Sequence, residues 1–150
     1  MNISNYNNTA ETLEVLNLVM RKVFAQEILN GRKKVEFRAY SQHYVSRLYD
    51  KKVLDYMHLH RGEQDIIDEC DPLRPVQRIH FHNYENTWFL DVECTVNDII
   101  AVTDEDVKYL QEEYGCHELD EQLAQLNATK AENRPMYFYF VIGDVIDTNL

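Results

Sequence analysis

In a chain of formal net charge -11, the stretch Ile28 to Tyr40, ILNGRKKVEFRAY, gathers Arg32, Lys33, Lys34 and Arg38 around one acid, Glu36. Lys and Arg side chains can hold phosphate or carbonyl oxygens. A carboxylate between them can accept from an exocyclic amine or serve as a base. The flanking cations favour Glu36 as an acceptor rather than a proton donor. On a strand, Glu36 and Arg38 share one face, while Lys33 falls on the opposite pleat unless the residues after Gly31 are irregular. The plainer reading is a solvated strand whose surface ion pair is worth at most about 1 kcal/mol.

Two further patterns could do chemistry. HLH places His58 and His60 on one strand face, and HFH does the same for His80 and His82. If the two segments paired across residues 61–75, four imidazoles would converge and suit Zn²⁺ or another borderline metal. The alternative is that they are ordinary outward residues, and no metal or cofactor is expected. Cys116 and His117 are adjacent, but sequence neighbours rarely face each other productively, so Cys116 reads as a half-buried thiol. Cys70, Cys94 and Cys116 are odd in number and include no CxxC, which fits free thiols in a reducing cytosol. Tyr137 and Tyr139 share a face of the last apolar run and are candidate base-stacking rings.

The elements that must position these residues follow from periodicity. LEVLNLVM (13–20) has strand length. RKVFAQEILNG (21–31) sets Phe24, Ile28 and Leu29 on one helical face and closes at Asn30-Gly31. Residues 33–39 alternate as a strand. Ser41 caps a short helix to about Tyr49. Residues 52–62 read as a strand, with Val53, Met57 and Leu59 inward, and 63–75 as a loop. VQRIHFHN (76–83) is a strand. TWFLDVECTVNDIIAV (87–102) is the clearest one, with Trp88, Leu90, Val92, Cys94 and Val96 facing one way. Thr103 caps a helix from Asp104 to Tyr114 that Gly115 stops, and a second helix runs from Glu118 to Ala128. MYFYFVIGDVI (136–146) is apolar on both faces, so it should be a central strand paired on both sides. The whole is one α+β domain, 13–150, behind a polar tail, 1–12.

Charge is uneven. From Arg21 to Lys52 there are nine Lys/Arg and three acids, a net of +6. From Asp91 to Glu121 there are eleven acids and one Lys, a net of -10. Such a bipolar surface repels nucleic acid on one side and can attract it on the other. The acidic helices could instead serve a protein partner. No apolar run is long enough to span a membrane. The N-terminus has neither the basic start nor the apolar stretch of a signal peptide, and a cytoplasmic location is expected.

Gly31, Lys33, Glu36 and Arg38 match GxKxxExR, placed between a helix and a strand, and in this setting the chain resembles the ASCH family of the PUA-like superfamily. The resemblance covers Leu13 to Ile146. It implies a closed or nearly closed β-barrel of five to six mostly antiparallel strands, decorated by about four helices, with a cleft beside the motif. It also implies a nucleotide or short single-stranded RNA as ligand, with Arg32, Lys33, Lys34, Glu36, Arg38 and Tyr40 as the binding set. Some small bacterial members look like amidohydrolases of acetylcytidine that use a Lys, a Thr and a Glu. Lys33 matches the first and Glu113 lies near the last, but Glu36 stands where the Thr would be. A hydrolase built on this chain would rest on Lys33, Glu36 and Glu113.

Overall fold

The computed structural model describes residues 8–126, 130 and 133–150. Strand β1 (Leu13–Val19) leads through helix α1 (Lys22–Leu29) to β2 (Val35–Ala39). Three helices follow: α2 (Gln42–Leu48), α3 (Lys51–Leu59) and α4 (Gln64–Asp68). Strands β3 (Val76–His82) and β4 (Phe89–Ala101) precede α5 (Asp104–Tyr114), α6 (Asp120–Gln125) and the long β5 (Met136–Thr148). The five strands form one sheet in the order β1-β3-β4-β5-β2. β1 runs parallel to β3, and the other three pairings are antiparallel.

β5 is a central strand, as its two-sided apolar pattern requires. It pairs with β4 on one side and β2 on the other. Phe138 and Phe140 enter a core shared with Leu16, Leu18, Ile79, Phe81, Leu90 and Val92. Tyr139 and Val141, on its other face, enter a second core with Val35, Ile100, Val102, Val107 and Leu110. The register of β4 against β5 shifts three times between Asp91 and Val96. Each shift can turn the alternation over. Leu90, Val92 and Cys94 therefore belong to the first core, whereas Ile100 belongs to the second. Val96, expected to face inward with them, is turned out and is 41% exposed.

The bulged stretch depends on Gly143. A Cβ there would lie 2.9 Å from Thr95 Cγ2 and 3.2 Å from Glu93 Cβ. Gly143→Ala is therefore expected to cost about 1–3 kcal/mol by overpacking. Thr95→Ser removes the obstructing methyl and should recover most of the loss. A double-mutant cycle from urea denaturation measures this, and additive effects would place the strain elsewhere.

Three features of the sequence reading are corrected. Residues 52–62 do not form a strand. Asp50 accepts from Lys52 N at 2.9 Å and caps α3, which buries Val53 and leaves Leu59 66% exposed. The stretch read as a loop contains α4, so the described residues hold six named helices rather than about four. Nor is the sheet closed by strand pairing: β1 and β2 are its two edges. Ser41, Thr103 and Gly115 cap and stop their helices as expected. The predicted end of α6 at Ala128 lies outside the described residues. Residues 8–11, read as part of the tail, are tied down. Asn8 O accepts from Asp71 N, Ala10 N donates to Asp71 O, and Glu11 N donates to Asp50 Oδ2.

Candidate nucleic-acid interface

The gap between edges β1 and β2 is bridged by a side chain. Arg38, on β2, donates from one terminal nitrogen to Val19 O on β1 at 2.9 Å and to Glu36 Oε2 at 2.9 Å. Its other terminal nitrogen donates to Tyr44 Oη at 3.1 Å. Burial works against the Arg38 charge, but Glu36 and Tyr44 outweigh it and hold the guanidinium above its ordinary pKa. Glu36 Oε1 accepts from Phe37 N at 3.0 Å and faces Lys33 Nζ at 3.5 Å.

Lys33 reaches Glu36 because the turn before it is irregular. Gly31 takes a left-handed backbone, φ 80°, which costs glycine little. The amides of both Arg32 and Lys33 then fold back onto Glu27 O. β2 begins only at Val35, so the pleat does not govern Lys33. Lys33 and Glu36 are the only charged residues among the buried ones described, at 8% and 7% exposure. The second partner of Lys33 is Glu118, with Oε1 at 2.9 Å and Oε2 at 3.1 Å. Lys33 and Arg38 thus pair with Glu36 in the seam, and Lys33 pairs also with the more exposed Glu118.

This arrangement splits the expected binding set. Glu36 and Arg38 line a cleft of about 330 Å³ along the seam, with Val19, Arg21, Phe24 and Phe37. Arg32 and Lys34, both exposed, line a separate cleft of about 240 Å³ against Gly115, Cys116, His117 and Glu118. Lys33 lies between them with its charge already matched. Tyr40 stacks on Phe138 at 5.1 Å and donates to Tyr49 Oη at 3.2 Å. Glu113 is exposed on α5, and the acid that meets Lys33 is Glu118, five residues on. Tyr139 is buried, and Tyr137 donates to Gln122 Oε1, so this pair forms no open stacking face. Burial raises the Cys116 thiol despite the Glu118 amide and Lys33, which does not favour a nucleophile there.

The four histidines do not converge. His58 and His60 lie on α3, and His60 Nδ1 meets Glu63 Oε2 at 2.7 Å. His80 and His82 lie on β3. No group of three or more metal-ligating side chains gathers among the described residues.

Several residues that the sequence did not single out stand beside the seam. Arg21 lies 5.8 Å over the Phe24 ring and Lys33 lies 6.0 Å from it. A larger cleft of about 670 Å³ adjoins, lined by Lys22, Asn83, Tyr84 and Trp88. It shares Val19, Met20 and Arg21 with the seam cleft. Tyr84 is 84% exposed. Sequence alone held only a weak signal for this groove, because α1 and the β3–β4 turn meet there through the fold.

The structure is similar to that of ASCH proteins. The ASCH protein from Zymomonas mobilis is 17% identical, with a TM-score of 0.40, covering 90% of this chain and 72% of that one. A point variant of it is 16% identical, with a TM-score of 0.42, covering 91% and 75%. No family model matches the chain, and no curated protein matches it significantly. No described helix is long and apolar enough to cross a membrane.

Proposed function

We propose that this protein binds a short stretch of single-stranded RNA, with one base in the seam cleft and the strand continuing past Tyr84. One observation carries this reading: the two clefts share Val19, Met20 and Arg21 and so adjoin, and we read them as one groove. The groove combines what a single strand needs, namely aromatic faces for bases and exposed cations for phosphates. Phe24 is 40% exposed and Tyr84 84%. Arg21, which lines both clefts, and Lys22, which lines the larger one, are both exposed. Glu36 retains acceptor capacity beyond its three partners, because a carboxylate offers about four lone-pair positions. It can take a base amine, while Arg38 and Lys33 hold its orientation. In this reading Lys33 supports Glu36 rather than touching phosphate. A single nucleotide would fill only the seam part.

The test is fluorescence anisotropy with short homopolymeric RNAs at two salt concentrations. Phe24→Ala is expected to weaken binding by about 1–3 kcal/mol, roughly 5- to 150-fold in Kd. Removing Arg21 or Lys22 should flatten the slope of log K against log salt by about 0.7 per cation. No binding by the parent, or variants that match it, would reject the reading.

A further inference from the structure

The outward face of β3 carries an arrangement that the RNA groove does not use. Arg78, His80 and His82 alternate with Ile79 and Phe81, which are fully buried. His80 Nδ1 meets Asp91 Oδ1, on the adjacent strand and directly opposite in register. His82 Nδ1 meets Asn83 O at 2.8 Å. A carboxylate and a carbonyl can only accept, so in each neutral ring Nδ1 carries the hydrogen and the lone pair sits on Nε2. Neither Nε2 has a hydrogen-bond partner among the described residues. The two rings are neighbours, with centroids 5.4 Å apart and planes 29° from parallel, and Phe89, opposite His82 in register, stacks on His80 at 5.9 Å. His80 is accessible, its side chain being 32% exposed.

We propose that His80 and His82 together bind one divalent transition-metal ion through their Nε2 atoms, with Asp91 and Asn83 O fixing the rings from behind. Metal-binding histidines characteristically donate the other ring N–H to a carboxylate or a backbone carbonyl, and both rings do so here. Charge favours a cation. Cross-strand register places Glu93 opposite Arg78 and Asp147 opposite Asp91, giving three carboxylates to one guanidinium on this face. No third protein ligand joins the pair among the described residues, so water completes the shell. Two imidazoles plus oxygens suit Cu²⁺ and Ni²⁺, and Cu²⁺ binds more tightly than Ni²⁺ or Zn²⁺ at such sites.

The test uses the full chain without a tag, stripped by chelator, in two measurements. Ni²⁺ calorimetry avoids oxidation of Cys70 and Cys116, and Cu²⁺ electron paramagnetic resonance reports the nitrogen ligands. One equivalent should bind, with a two-nitrogen signature. His80→Gln and His82→Gln should each weaken binding by at least about tenfold, and Asp91→Asn by about tenfold. His58→Gln should change nothing. Binding that survives the loss of His80 and His82, falls equally with His58→Gln, or shows no nitrogen coupling would overturn the assignment. So would failure of the parent to bind Ni²⁺ or Cu²⁺. These readouts are independent of RNA binding.

Discussion

Glu36→Ala is expected to lower the stability of the folded protein by about 3 kcal/mol, toward the lower end of what breaking a buried ion pair costs. A surface pair would cost at most about 1 kcal/mol, so burial decides between the two magnitudes. The side chains of Glu36 and Lys33 are 9% and 7% exposed, and that of Arg38 is 19%. Alanine at 36 removes the acceptor for Phe37 N and a partner of both cations. Lys33 keeps Glu118, and Arg38 keeps Val19 O and Tyr44, which places the loss below the upper end. Glu118 is 42% exposed, so Glu118→Ala should cost much less. Urea denaturation followed by the fluorescence of Trp88, the sole tryptophan and a buried one, measures both. Equal and small losses would show that the cluster is solvated.

Phe140→Ala is expected to cost about 3–5 kcal/mol. Its side chain is fully buried in the first core, on a strand paired on both sides. Against a typical total of roughly 5–15 kcal/mol, this removes a large share of the stability. Val141→Ala acts on the second core and should also destabilise, by a smaller amount. If only one of the two faces mattered, β5 would not be the wall between two cores. The same denaturation curves decide this.

Much of this architecture was legible because local physics agreed with the fold. The two-sided apolar run of β5, the Ser41 and Thr103 caps and the Gly115 stop each act within a few residues of themselves. α3 was misread because it buries only Val53, and one buried residue leaves no helical stripe. The HLH alternation at its end then imitated a strand. Val96 was misread because a bulge inverts alternation without changing composition. In the candidate site, the Glu36–Arg38 pairing followed from strand parity. The place of Lys33 depended on the fold-back of its amide onto Glu27 O. Glu118 could not be read, since the loop after Gly115 brings it to Lys33 across 85 positions of sequence.

The seam also bears on whether a second chain can add to the sheet at β1. β1 is an edge strand, and unpaired edge carbonyls invite another chain to add to the sheet. Here two of them are occupied by guanidinium groups: Arg38 donates to Val19 O at 2.9 Å and Arg47 to Asn17 O at 3.3 Å. A neighbouring molecule that docked its own strand there would have to displace both charged groups. The two arginines therefore stand in the way of strand addition along that edge.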